Sequence, residues 1–374
     1  MKNDIFWCKN CWMPSTRPNI TFDNDGVCHA CRWAEEKKRI DWEERQKYLG
    51  ELCDKFRGNG REPDMIVPWS GGKDSVYVAY QMKDKFGMNP LLLSVIPPLE
   101  TDIGKHNRVQ TKGNFWYGEI QLPPETREMS KQHFVRNGKI KHPWECAISS
   151  LVIKAAIEKG LPFIMYGEEG GMEYGGTNSE HNSWKDPVSL EYLMKNYYLN
   201  SLDWEVPDTS QVFFTQYSRF EDWDPVVHAE FAKKKGMQVL SHRSVGTYTN
   251  DCQLSDKLQD LHQYVVFIKF GFGRCSADAS IAIRSGTLDR NEALELIEIY
   301  DGEFPNEYLE EYCDYLRMST EEFSKVLCSH ANKSIMAGVD HIWTLKNIYA
   351  LKRRQGTDVA LASPNRFNPD KNAT

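Results

Sequence analysis

Two clusters of residues in this chain have the types and the spacing to do chemistry. The first is Cys8-Lys-Asn-Cys11 with Cys28-His-Ala-Cys31, two C-x2-C pairs separated by sixteen residues. Each pair can close a tight turn that aims two thiolates at one point, and two such turns complete a tetrahedral sulfur shell. A soft, closed shell suits a structural Zn2+ and leaves no open position for catalysis; an iron–sulfur cluster is the alternative occupant. His29 lies between two better ligands and reads as a bystander. Pro14, Pro18 and Asp23-Asn-Asp-Gly26 fit a short ribbon or hairpin between the pairs.

The second cluster is Ser70-Gly71-Gly72-Lys73-Asp74-Ser75, preceded by the apolar run Met65–Trp69 and followed by an amphipathic segment, Val76–Phe86. Strand, glycine turn and helix make an anion site. The glycines let backbone N–H groups converge, the helix N-terminus adds positive potential, and Ser70 and Ser75 add hydroxyl donors. A Walker A loop is excluded, because Asp follows Gly72-Lys73 and no glycine stands five positions before Gly72. The six residues resemble the SGGxDS loop of the N-type ATP pyrophosphatase (PP-loop) superfamily. That resemblance implies cleavage of ATP between its α- and β-phosphates. It places Ser70, Gly71, Gly72 and Ser75 on the pyrophosphate, Lys73 as neutralising charge and Asp74 near Mg2+.

The elements that must position these clusters follow a βαβ rhythm. Pro90–Ile96 and Phe163–Tyr166 read as further strands, with helices near Glu125–Val135 and Cys146–Lys159 between them. The expected fold is α/β, a doubly wound, mostly parallel sheet of the PP-loop type. An amino-terminal zinc ribbon precedes it and a carboxyl-terminal helical extension follows. Arg32–Arg57 reads as one linker helix, so the ribbon and linker occupy 1–61. The α/β domain is expected over 62–289, with an aromatic-rich insertion at about 170–235, the helical extension over 290–354 and a mobile tail over 355–374. The extension's expected helices are Asn291–Tyr300, Asn306–Leu316, Thr320–Cys328 and Asp340–Arg353. In doubly wound folds ligands sit beyond the carboxyl ends of strands. This singles out Thr101-Asp-Ile-Gly104 with Asn107, and Glu168, Glu169 and Glu173. The carboxylates are candidates to bind Mg2+, hold ammonium or grip sugar hydroxyls. Arg274 and Arg284 suit a diphosphate or carboxylate. Ser241-His242 with Asp251 mimics part of a hydrolase triad but lacks a nucleophile elbow.

Composition narrows the function classes. The chain has 374 residues, net charge -7, ten cysteines and 40% hydrophobic residues. Its acidity argues against an obligate nucleic-acid surface. There is no apolar run long enough for a membrane span, and the start lacks a secretory h-region. Clustering of four cysteines before residue 32 speaks for a metal site in a reducing compartment, hence a cytoplasmic protein.

Beyond the loop, the chain resembles the N-acetyl sugar amidotransferase family of surface-polysaccharide (lipopolysaccharide O-antigen) and flagellin-glycan biosynthesis. The residues carrying this are the cysteine quartet, Ser70–Ser75, Thr101–Gly104 with Asn107, Tyr166-Gly-Glu168, Glu173-Tyr-Gly-Gly176, Lys269-Phe-Gly-Phe-Gly-Arg274, Asp278–Arg284, Gly286 and Arg290. The match runs from Cys8 to about Asp301. It implies conversion of an acetamido group on a nucleotide-linked N-acetyl sugar into an acetamidino group. AMP is transferred to the amide oxygen, and ammonia displaces it from the O-adenylyl imidate. Lys73, Asp74 and Glu168 are the expected catalytic residues. Gly104, Asn107, Glu169, Glu173, Tyr174, Arg274 and Arg284 are the expected substrate contacts, and ATP, Mg2+ and structural Zn2+ the cofactors. Water must be excluded from the intermediate, and the aromatic stretch Tyr192–Trp223 is a candidate lid. Lys2 stands where an amino-terminal glutaminase needs its cysteine. The resemblance therefore implies ammonia from a separate glutaminase of the imidazole-glycerol-phosphate-synthase type. The competing class is a PP-loop tRNA-thiolating enzyme, which usually needs a catalytic or cluster-binding cysteine pair beyond the ribbon. Cys146 and Cys275 each stand alone in sequence.

Overall fold

The computed structural model describes residues 5–110, 113–175, 183–189, 192–193, 208–339 and 342–346. The expected tail, 355–374, and much of the aromatic stretch lie outside these residues. A five-stranded sheet is built from β1 (Met65–Pro68), β2 (Pro90–Val95), β3 (Trp116–Ile120), β4 (Phe163–Tyr166) and β5 (Phe213–Gln216), in the order β3-β2-β1-β4-β5 with every pair parallel. Successive side chains on a strand point to opposite faces, and both faces of a parallel sheet need cover. Met65, Val67, Phe163 and Met165 accordingly join one apolar cluster with Val78 and Met82. Ile66, Leu91, Leu93 and Ile164 join the opposite one with Ala147, Val152 and Ile153.

The helices in chain order begin with α1 (His29–Lys37), α2 (Trp42–Phe56), α3 (Lys73–Tyr80), α4 (Asp102–Val109), α5 (Thr126–Asn137), α6 (His142–Lys159) and α7 (Gly170–Tyr174). After β5 come α8 (Pro225–Lys234), α9 (Leu258–Phe270), α10 (Arg274–Arg284), α11 (Arg290–Tyr300), α12 (Leu309–Leu316) and α13 (Thr320–Ser329). A π-helical turn, Gln81–Lys85, prolongs α3. The doubly wound α/β architecture is thus the one expected, and strand order reverses between β1 and β4, where such folds open their ligand crevice. The phosphate loop leaves β1 and Glu168 follows β4, so the two flank that crevice.

Four expectations are corrected. The linker is two helices, because Asp41 caps a new one by accepting from the Glu44 N–H. The stretch at 170–235 supplies a sheet strand and α8, so it is more than an insertion; Phe214 is buried against Tyr166, with rings 4.6 Å apart. Strand β3 was not foreseen: it is an edge strand with half-exposed residues and Gly118 inside, so it lacks a buried run. The last described residues pair as a hairpin, β6 (Met336–Val339) with β7 (Ile342–Leu345), where the start of a helix over Asp340–Arg353 was expected. Met336 and Trp343 bury there against the cluster holding Tyr264 and Phe323; residues 347–353 lie outside the described ones.

Candidate active site

Gly71 turns the phosphate loop at φ +74°, and a Cβ there would fall 2.5 Å from the Asn107 carbonyl carbon. Only glycine allows both the left-handed backbone and this approach. The Ser70 hydroxyl accepts from the Gly72 N–H at 3.2 Å and lies 3.2 Å from the Ser75 hydroxyl, which donates to the Gly72 carbonyl at 3.0 Å. The loop is held open, with hydroxyls and the N-terminus of α3 together.

Helix α4 is the platform of that loop. The Asn107 amide pairs with the Gln238 backbone in both directions at 2.8 Å. A Cβ on Gly104 would stand 2.5 Å from the Ser255 Cα. Gly104 and Asn107 were expected at the substrate; their contacts instead pack α4 against segments 238 and 254–255, and neither lines a cavity of the site.

Asp74 is the electrostatic centre. Its carboxylate meets the Lys73 ammonium at 3.5 Å and Nδ1 of His228 at 3.0 Å. Burial pushes its pKa up, but the Lys73 charge and the His228 hydrogen bond prevail and hold it below the usual range. For Lys73, burial disfavours the charge, and Asp74 outweighs it and raises the pKa. Glu168 is different: burial, reinforced by the negative charge of Asp74, pushes its carboxyl up to about 7. Two carboxylates with separated pKa values divide naturally into a permanent anion and a proton acceptor.

Two cavities meet at this pair. The smaller, about 240 Å3, runs from Ser70 and Ser75 along an apolar wall of Val95, Trp144, Ile148 and Tyr166. The larger, about 770 Å3, opens on Lys73, Tyr174, Arg274 and Arg284 and reaches the ribbon at Met13 and Arg17. Asp74 and Glu168 line both.

Of the three glutamates after β4, Glu168 lines both of these cavities, and Glu169 and Glu173 line neither. Glu169 is buried beside Arg219, Nε to Oε2 3.5 Å. Glu173 accepts from the Trp33 indole at 2.8 Å and from Lys37 at 3.1 Å, tying α7 to α1. Both were expected at the substrate; in the structure their carboxylates make these contacts between elements. Tyr174 reaches the larger cavity, its hydroxyl accepting from the Trp223 indole at 3.1 Å. Tyr217, Phe220 and Trp223 are buried in the core, so this end of the expected lid is packing.

Arg274 faces the cavity paired with Asp278 at 2.8 Å. Asp278 also accepts from Thr247 at 2.7 Å and lies 3.6 Å from the Cys252 thiol. Cys252 is the cysteine lining this cavity among the described residues. Burial pushes its thiol up to about 11, and it was not singled out by sequence. Arg284 donates to the Glu173 carbonyl at 3.1 Å. The apparent triad is absent: His242 is exposed, and Asp251 pairs with Lys233 at 3.4 Å.

Sequence reasoning did not place His228 beside Asp74. The histidine sits on α8, 154 positions from Asp74, stacked on Tyr77 at 4.1 Å and edge-on to Trp223 at 4.3 Å. The nearest signal was the Asp224-Pro225 helix start, which orients α8.

The cysteine quartet closes into one buried knot, with all four sulfurs within 4.8 Å. Cys8 and Cys31 stand 3.9 Å apart, Cys11 and Cys28 3.7 Å. A tetrahedron with Zn–S of 2.3 Å has edges of about 3.8 Å, so the set fits zinc. The Cys28 N–H points at the Cys8 sulfur from 3.2 Å, and thiol hydrogen bonds from Cys11, then Cys28 and Cys31, hold Cys8 far below its usual pKa. The ribbon docks on the carboxyl-terminal helices: Arg290 covers the Trp12 ring at 3.6 Å, and the Trp12 indole donates to the Arg290 carbonyl at 2.7 Å.

Residues 215–348 match the family model described as LPS biosynthesis protein WbpG-like, C-terminal domain. This stretch carries His228 and, with Cys252, Arg274, Asp278 and Arg284, most of the polar wall of the larger cavity. No curated protein matches the chain. Among solved structures, an NH3-dependent NAD synthetase from Campylobacter jejuni is 16% identical, covering 44% of this chain and 80% of its own, with TM-score 0.29. An NMN synthetase from Francisella tularensis is 15% identical over 54% of this chain and 89% of its own, TM-score 0.27. The U34-tRNA thiolase NcsA from Methanococcus maripaludis, with its 4Fe–4S cluster, is 12% identical over 96% and 99%, TM-score 0.24. No described helix is long and apolar enough to cross a membrane.

Proposed function

We propose that this chain is a cytoplasmic ATP-dependent amidotransferase that turns an acetamido group of a nucleotide-linked N-acetyl sugar into an acetamidino group, for a surface polysaccharide. The observation that carries the reading is the placement of Asp74 and Glu168 in the walls of both cavities, one beside the phosphate loop and the other large enough for a nucleotide sugar. The WbpG-like stretch, which supplies much of the second cavity's lining, supports the same substrate class.

In this account ATP lies along the smaller cavity, its base on the Trp144 and Tyr166 wall and its phosphates at Ser70, Ser75 and the loop N–H groups. The acceptor's amide oxygen attacks the α-phosphorus and pyrophosphate departs. The loop donors and Lys73 stabilise the charge that grows on the leaving group. Asp74, kept ionised by Lys73 and His228, would hold Mg2+, which supplies further charge neutralisation when bound. Ammonia, delivered by a separate glutaminase, then attacks the imidate carbon. Glu168, with its pKa near neutrality, takes the proton that nitrogen must lose, and AMP leaves with the former amide oxygen. The zinc knot has no part in these steps.

The second reading, thiolation of tRNA, is kept by Cys252, the thiol lining the acceptor cavity. Its pKa near 11 holds it as an unreactive thiol, which favours the first reading. Incubation with ATP, Mg2+, ammonium and UDP- or CMP-linked N-acetyl sugars distinguishes the two. Amidine formation with AMP release supports the amidotransferase. AMP release with tRNA alone, lost in Cys252→Ser, supports the thiolase.

A further inference from the structure

The larger cavity ends on the ribbon, and two of the cations lining it, Arg17 and Arg284, form no ion pair with a carboxylate among the described residues. Lys73 faces Asp74, Lys233 faces Glu230 and Asp251, and Arg274 faces Asp278. Arg17 contacts no carboxylate among the described residues. Its Nε donates to the Gly175 carbonyl at 2.6 Å, its Nη1 reaches the Met13 sulfur at 3.5 Å, and its plane lies over Phe272 at 5.3 Å. Beside it in the cavity wall, Arg284 has a buried Nη1 without a hydrogen-bond partner. A zinc ion held by the four thiolates would carry net negative charge and so offset two neighbouring guanidinium groups. Among the described residues Nη2 of Arg17 makes no hydrogen bond, and an unused charged donor in a partly closed cavity favours a bound anion.

We infer that Arg17 is a specificity-determining residue for the acceptor, gripping the phosphate of its carrier nucleotide, so that the ribbon forms one wall of the acceptor site. This rests on the proposed reading of the cavity as the acceptor site. The geometry is consistent with the length of such an acceptor. Its acetamido end must reach Asp74 and Glu168, and its phosphates lie a sugar ring away, towards the ribbon. Phe272, beneath Arg17, and Phe270 give that end an aromatic floor for a nucleobase.

The test uses the full zinc-loaded chain. Calorimetric binding of UDP, of CMP and of a non-hydrolysable ATP analogue is compared for wild type, Arg17→Ala and Arg17→Lys, with zinc content measured on each. Arg17→Ala is expected to keep zinc and the ATP-analogue affinity while binding UDP or CMP about tenfold or more weakly, with Arg17→Lys between. In hydrogen exchange on the wild type, amides around residues 13–18 should slow with UDP or CMP and not with the ATP analogue. This arm decides if Arg17→Ala loses zinc. Unchanged nucleotide affinity in Arg17→Ala, no exchange protection at the ribbon, or no binding of either nucleotide by wild type would overturn the inference. The outcome separates from that of the proposed reaction. Amidine formation with unchanged UDP and CMP affinity in Arg17→Ala sinks the role of Arg17 alone. Arg17-dependent nucleotide binding without amidine formation sinks the reaction alone.

Discussion

Nδ1 of His228 stands 3.0 Å from Oδ1 of Asp74, a contact between the helix after β5 and the phosphate loop after β1. With Lys73 at the other carboxylate oxygen, it fixes the orientation of a group aimed at both cavities. A residue of this kind acts through the one it holds. His228→Ala is therefore predicted to lower the rate of AMP formation about 10- to 100-fold while leaving ATP-analogue binding nearly unchanged. His228→Asn, which keeps a side-chain donor, should recover part of the loss. Equal losses in both variants, together with lost binding, would mean a purely structural histidine.

Glu168 gives the account its pH dependence. With a carboxyl near 7, ammonia-dependent turnover should rise as pH increases through about 7, where the base becomes ionised. Glu168→Gln should remove that limb and cost about a hundredfold or more in rate. Stability moves the other way. The folded state holds this proton more tightly than the unfolded chain, so stability is fully present below the ordinary carboxyl pKa and falls as pH rises through about 7. Glu168→Gln should accordingly melt higher than wild type at pH 8, the gap closing in acid.

Glu169, one position on, predicts the opposite phenotype. Its carboxylate is buried beside Arg219, and Glu169→Ala removes the carboxylate that faces Arg219 Nε. Removing one partner of a buried pair costs about 3 to 5 kcal/mol, so thermal denaturation should fall sharply for Glu169→Ala. The folded fraction should keep its ATP-analogue affinity. A stable Glu169→Ala with abolished acceptor binding would return this residue to the substrate site.

The cysteine knot and the phosphate loop should separate cleanly. Cys8→Ser with Cys31→Ser is predicted to lose one zinc per chain and to unfold at lower temperature, because structural zinc contributes folding energy. Asp74→Asn should keep its zinc and lose AMP formation. Metal analysis alongside an AMP assay checks both; zinc lost from Asp74→Asn would contradict the independence of the two sites.

The parts legible in sequence are those in which one local segment carries its own reason. Ser70–Ser75 needs only its strand, its glycines and its helix, and the four cysteines need only their two turns. Strands β2 and β4 were visible as buried apolar runs. Edge strand β3 was not, because its residues are exposed or half-exposed. Nor was β5, because its apolar run is only Phe213-Phe214 before the buried polar Thr215 and Gln216. The three glutamates after β4 are alike in type, and only the turn of α7 decides that Glu168 meets the cavity while Glu173 turns to Trp33 and Lys37. Asn107 and Gly104 were visible as a motif, yet their partners, Gln238 and Ser255, lie far along the chain. His228 meets Asp74 by tertiary folding alone, and spacing says nothing about it.

The central claim is that nitrogen replaces oxygen at an amide which AMP has activated in the cavity beyond Asp74 and Glu168. The most direct test supplies the protein with ATP, Mg2+, nucleotide-linked N-acetyl sugars and ammonium carrying heavy nitrogen, and follows sugar mass and AMP together. The account predicts heavy nitrogen in the sugar, one AMP for each acetamidino group formed, and loss of both in Asp74→Asn. AMP released without nitrogen transfer to any sugar, or released only when tRNA is added, would contradict it.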